Sequence, residues 1–284
     1  MNRRVPIGMH GGVGGRRLIT ASYPIIMPIT WERGGVFVDQ ERFSEICLRY
    51  RNRIRERSGI GTLGEKTLHA VLKDYFQEDE RFQEFTVDGY VADVVREDEV
   101  VEIQSRDLYR LAPKISTFLV ENRVTVVHPI ALSKTVFWMD PETGECISQR
   151  KSNKKGKVID ILPELYGLRD FLLNEKFRVC IMLLNVNEYR ILDGYGKDKK
   201  KRATKLDRYP TALIDEIYLA CVDDYRRFLP SSLPEEFSSS DFRIAAKCDL
   251  RTAQIALNIF SKLGLVRETG KKGRKKMYVI SAVS

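Results

Sequence analysis

At 284 residues, with 43% hydrophobic and 31% charged residues, the chain has the make-up of a globular protein long enough for one large domain or two modest ones. No apolar run approaches the roughly 20 residues that span a bilayer, so a helical membrane protein is excluded. The net charge of +9 concentrates in RKSNKKGK at 150–157, GKDKKKRATK at 196–205 and KKGRKK at 271–276, and such clusters attract polyanions because neutralised phosphates release counterions.

Residues 1–38 carry scattered Gly and Pro, Arg pairs and no sustained period, and are expected to form a loosely ordered arm. Pro24 and Pro28 break the apolar part, which argues against a signal peptide. A domain is expected over 39–193. Its first helix starts after Asp39, with Phe43, Ile46, Cys47, Tyr50 and Ile54 on one face, and ends at Ser58–Gly61. A second helix over 62–76 carries Glu65 near its start, where an acid complements the helix dipole. His69 on that helix, His128 near a strand end and His10 form no local constellation and are assigned structural roles.

From Arg81 to Arg110 the sequence predicts a three-stranded meander, turning at Asp88-Gly89 and at the charged run 96–99. Asp93 in YVADVV and Glu102 in VVEIQS are carboxylates embedded in apolar strands. Such groups are costly to desolvate unless a positive partner meets them, and a divalent cation is the simplest one. Residues two apart on a strand share a face, so Glu102 and Gln104 project together, and Asp93 can join them across the hairpin. Asp88 is better explained as a turn residue.

A helix over 107–122 entered through Pro113, a strand over 124–131, a hairpin from TVFWMD into GECISQR, a helix over 157–171 and a strand or hairpin over 177–192 follow. Residues 194–209 read as a basic linker or loop, and Pro210 is expected to open another helix. At the C-terminus, 237–280 predicts a Ser-capped helix, a turn near Asp249, an amphipathic helix and two strands around a basic loop. Cys47, Cys146, Cys180, Cys221 and Cys248 have no metal-ligand spacing; reduced thiols, and hence a cytoplasmic, reducing compartment, are expected.

The order helix, meander, helix, strand, with Glu65, Asp93 and Glu102-Ile103-Gln104 on successive elements, resembles the core of the PD-(D/E)XK, or restriction-endonuclease-like, nuclease superfamily. The resemblance covers about residues 62–131. It implies an α/β fold with a mixed sheet flanked by helices, Mg²⁺ or Mn²⁺ held by Asp93, Glu102, the Ile103 carbonyl and Glu65, and a water oriented by Gln104. The superfamily usually has lysine where Gln104 stands, and Lys66 or Lys114 could supply that charge from a neighbouring helix. Residues 237–280 resemble a winged helix-turn-helix, and a helical connection with that domain is expected over 210–284. That resemblance implies that Arg251, Thr252 and Gln254 begin a recognition helix and that Lys271, Lys272, Arg274, Lys275 and Lys276 form a wing. The expected activity is a metal-dependent nuclease acting on DNA, with no membrane partner and a homodimer compatible. The alternatives are a DNA-binding or regulatory protein that keeps the nuclease fold as a platform, and an interaction scaffold with merely solubilising basic loops.

Overall fold

A seven-stranded mixed sheet dominates the described residues, and its central strands are apolar on both faces because helices cover both. The computed structural model describes residues 39–56, 66–195 and 202–282. The expected arm at 1–38, the break at 58–61, Glu65 and the lysines at 197 and 199–201 lie outside them.

Helices α1 (Gln40–Glu56) and α2 (Thr67–Phe76) precede the meander of β1 (Gln83–Val87), β2 (Tyr90–Arg96) and β3 (Glu99–Ile103). The β1–β2 turn has positive φ at both Asp88 and Gly89, the backbone that matches strand twist in a two-residue hairpin. A 3₁₀ turn at Leu108–Leu111 leads into α3 (Ala112–Phe118), with Pro113 in its first turn, where a missing N–H costs nothing.

Where a strand over 124–131 and a separate hairpin arm were expected, a single strand runs through both: β4 (Arg123–Met139). It pairs in parallel with β3 at its start and antiparallel with β5 (Cys146–Lys151) at its end. Pro129 falls between these two pairings, in the gap on that side of the strand. The helix expected over 157–171 is broken into a 3₁₀ turn (Val158–Asp160), α4 (Ile161–Leu165) and a second 3₁₀ turn (Tyr166–Leu168).

Strand β6 (Phe177–Ile191) runs parallel to β4 along its length, and β7 (Thr204–Leu219) returns antiparallel to β6. This overturns two expectations. Residues 204–209 are strand rather than linker, and Pro210 opens no helix but pairs with Val186 inside β7. The β-branched and aromatic residues of DRYPTALIDEIYL favour a strand, and β7 ends the strand order β1-β2-β3-β4-β6-β7, where an edge tolerates proline.

One face of the sheet, through Val94, Val101, Ile103, Val127, Cys180 and Met182, packs against Phe43, Ile46, Val71 and Leu72 of α1 and α2. On the other face, Val124, Val126, Val179 and Ile181 meet Ile115 and Phe118 of α3 and Ile161, Leu162 and Leu165 of α4. The C-terminal elements join this second core. They are β8 (Phe237–Ser238), α5 (Ser239–Ala245), α6 (Leu250–Lys262), β9 (Val266–Lys272) and β10 (Lys275–Ile280), with a small sheet ordered β8-β10-β9. Phe242, Ala253, Ala256, Leu257 and Phe260 bury the apolar stripe of this helix pair against the same cluster as α4. Among the described residues no helix is long and apolar enough to cross a membrane.

Candidate functional site

The β2–β3 ladder ends at Val94 opposite Val101. Beyond it a side chain replaces the backbone partner: the Ile103 N–H donates to Asp93 Oδ2 at 2.7 Å, and the Asp93 N–H reaches Glu102 Oε1 at 3.3 Å. The strands therefore part with two carboxylates between them, one reaching towards α2 and the other towards α3.

His69 Nε2 of α2 lies 3.3 Å from Asp93 Oδ2 and 3.1 Å from the Ile103 carbonyl oxygen. Both partners are acceptors, so Nε2 carries the proton. From α3, Lys114 Nζ donates to Glu102 Oε2 at 2.5 Å. Burial works against the charge on Asp93, but the His69 hydrogen bond and charge and the Ile103 amide outweigh it and hold its carboxyl below the usual range. Glu102, with its side chain 2% exposed, goes the other way: burial and the Asp93 charge push it up to about 7, against the opposing pull of Lys114.

Asp93, Glu102 and the Ile103 carbonyl lie together at the parted end of β2 and β3. Gln104 takes a different role. Its Nε2 donates to the Asp107 carbonyl at 3.0 Å, its backbone N–H is held by the Val127 carbonyl, and its own carbonyl accepts from buried His128 Nδ1 at 2.9 Å. Glu164 of α4 continues the clasp by accepting from the Leu108 N–H at 3.1 Å. Gln104 thus braces the 104–108 turn, where Asp107 adopts φ 57 and its carbonyl accepts from both the Gln104 amide and the Arg110 N–H. Lys114 brings the positive charge that Gln104 lacks.

His69 was assigned a structural role and is instead in the site. The usable signal was its position one helical turn after Glu65, on the same face of the predicted helix. Lys66 stands at the N-cap of α2, whose first N–H, that of Thr67, donates to Asp207 Oδ1 at 3.1 Å, a cap supplied from β7.

At the C-terminal helix pair, Arg251 and Gln254 are exposed at the start of α6, and Lys271, Lys272, Arg274, Lys275 and Lys276 are exposed around the β9–β10 turn. Thr252 is not available as a contact. It is 7% exposed, and its N–H and hydroxyl both donate to the capping carboxylate of Asp249, at 2.9 Å each. Of the five cysteines, all unpaired, Cys47 and Cys180 are buried while Cys146 and Cys221 are exposed.

A family described as "Domain of unknown function (DUF8091)" matches residues 66–220, that is α2 through β7, and includes the whole carboxylate site. An uncharacterized protein of Treponema pallidum (strain Nichols) is 29% identical over 220 residues, covering 77% of this chain and 86% of its own. No solved structure matches.

Proposed function

The chain belongs to the DUF8091 family, and from its site we propose a metal-dependent nuclease that hydrolyses phosphodiester bonds of DNA, with Asp93, Glu102, His69 and Lys114 as its working side chains. The observation that carries this is the pairing of two half-buried to buried carboxylates and a main-chain carbonyl at the parted end of β2 and β3, met by one lysine and one histidine.

The donor set fits Mg²⁺ or Mn²⁺. Asp93, Glu102 and the Ile103 carbonyl are hard oxygen donors, and Mg²⁺ takes one or two carboxylates while keeping water and phosphate oxygens. Among the described residues no three His, Cys, Asp or Glu side chains are grouped for a metal, so water and substrate would complete the shell. The elevated Glu102 is what two neighbouring buried carboxylates give when their shared positive charge is incomplete. A bound divalent ion supplies the charge that polarises a phosphodiester and makes its water more acidic.

Each remaining role falls to the chain itself. Lys114 favours the ionised form of Glu102 against burial and the Asp93 charge, and is placed to offset negative charge developing on a phosphoryl oxygen. His69 fixes the Asp93 carboxylate and the Ile103 carbonyl in one orientation by donating to both. The clasp from His128 and Glu164 holds the turn that follows β3. The C-terminal elements are read as a winged helix, with Arg251 and Gln254 facing the groove and the β9–β10 lysines on the backbone. The test is cleavage of plasmid, linear and branched DNA with Mg²⁺ or Mn²⁺, comparing wild type with Asp93→Ala and Glu102→Ala; equal residual cleavage in all three rejects the site.

One observation favours a second reading, a non-hydrolytic DNA-binding platform. Lys114 and His69 already pair both carboxylates, so the site can stand without a metal. Calorimetric titration with Mg²⁺ separates the two, since a nuclease binds the ion with an affinity that Asp93→Asn weakens.

A further inference from the structure

The far end of the sheet holds a second charged cluster of the opposite sign. Glu188 on β6, with its side chain 1% exposed, meets Arg190 at 2.6 Å, Lys134 at 3.2 Å, Arg208 at 3.4 Å and Lys205 at 3.7 Å. The frame is rigid. Arg208 lies directly across the β6–β7 ladder from Glu188, Lys205 lies across from Arg190, and Lys134 is carried two positions before Val136, the neighbour of Glu188 on β4.

Among the described residues, four cations paired to the one carboxylate of Glu188 leave about three positive charges without a paired carboxylate of their own, a mutual repulsion that a structural ion-pair network would avoid. Their side chains are 22–39% exposed, so an anion can reach them while they remain partly shielded from water. Burial and the Arg208 charge press the Lys205 ammonium down to about 8, and Lys66 acts on it in the same direction. The cluster is also joined to the carboxylate site. Asp207, adjacent to Arg208, caps α2 at Thr67, and His69, two residues further on, reaches Asp93 and Ile103.

We propose that Glu188 organises Lys134, Arg190, Lys205 and Arg208 into a subsite for the phosphates of a nucleic-acid strand. The naming of the polyanion rests on the nuclease reading above; the anion site itself rests on the surplus of charge. Glu188 is a template here: it desolvates and aligns the cation heads and keeps a share of their charge neutral until a phosphate arrives.

The experiment is fluorescence anisotropy of a labelled oligonucleotide with the full chain, in EDTA so that no strand is cut. Lys134→Gln/Arg208→Gln is expected to weaken binding about tenfold at low salt and to lower the slope of log affinity against log salt by about one to two. Glu188→Gln removes the internal counter-charge and is expected to tighten binding. Circular dichroism reports whether each variant folds, and the single Lys134→Gln serves if the double variant does not. Unchanged affinity in a folded Lys134 variant overturns the proposal, as does a Glu188→Gln protein that binds more weakly than wild type. Pyrophosphate is the second arm: competition with the oligonucleotide, lost in the double variant, supports the site, whereas pyrophosphate binding without any effect on the oligonucleotide overturns the assignment to a strand. Failure of the wild type to cut DNA removes the nuclease reading and leaves these binding results intact.

Discussion

Glu102 and Glu188 are nearly equally buried, at 2% and 1% side-chain exposure, yet their carboxyls move in opposite directions, one up to about 7 and the other down to about 2. Burial opposes ionisation in both, so depth cannot account for the difference. Glu102 faces a second carboxylate with one lysine in reach, whereas Glu188 faces four cations. One end of the sheet is short of positive charge and the other is short of negative charge. A structural ion pair gains nothing from such imbalance, but a metal-holding site and an anion-holding site each do.

The largest effects are expected at the acidic end. Asp93→Ala or Glu102→Ala should lower Mg²⁺-dependent cleavage by about 10³-fold or more, because each removes charge that the transition state requires. Lys114→Met should lower it by about 10²-fold, with Lys114→Arg recovering part of the loss. Gln104→Ala should stay within about threefold, since its amide serves the 104–108 turn and a glutamine adds no charge. A Gln104 variant as damaged as the Lys114 variant would return the catalytic charge question to β3.

Stability against pH offers a sharper contrast, because the same Glu→Gln change should act with opposite sign at the two ends. The folded-state value of Glu102 is raised, so its stabilising protonation is complete below about 4.5 and is lost as pH climbs through about 7. Glu102→Gln should therefore be more stable than wild type at pH 8, by about 2 kcal/mol after allowing for a weaker bond to Lys114, and should match it near pH 4.5. Glu188 is depressed, so its contribution is present above about 4.5 and is lost as pH falls towards about 2. Glu188→Gln should be less stable at neutral pH by about 1–2 kcal/mol, allowing for water around the cation heads, and the gap should close on acidification. Thermal melts from pH 2 to 8 check both, and shifts of the same sign would break the comparison.

The acidic end was legible in the sequence because its signal is local: two carboxylates inside short apolar strands, separated by a turn whose Glu97 adopts positive φ. Lys114 was a weaker signal, being one of many lysines until α3 placed it against Glu102. The basic end was illegible for a definite reason. Its residues come from three strands between 134 and 208, and their clustering needs β7 to be a strand. Pro210 and the run of lysines before it pointed to a linker and a helix, an inference that holds for an isolated chain but not at a sheet edge, where β6 supplies the pairing and a proline is tolerated. Thr252 was misjudged through the opposite error. Its position at the start of α6 was read correctly, but a threonine three residues after an aspartate also completes a cap, and the cap took the side chain.

Lys205 should give the smallest effect and the most direct check on surplus charge. It is the most distant of the four cations from Glu188, at 3.7 Å, and the most exposed, at 39%. Its depressed value means that the folded state disfavours the ammonium, so stability should rise with pH from about 8 towards the ordinary lysine range near 10.5. Replacing it with an uncharged chain of similar length removes that repulsion. Lys205→Met should therefore leave the protein as stable as wild type at pH 7, or more stable by no more than about 1 kcal/mol once solvent screening is allowed for. Removal of a cation from a balanced salt bridge would instead destabilise, so a lower melting temperature for Lys205→Met would mean that Glu188 needs all four of its partners and that the basic end holds no charge in reserve for a ligand.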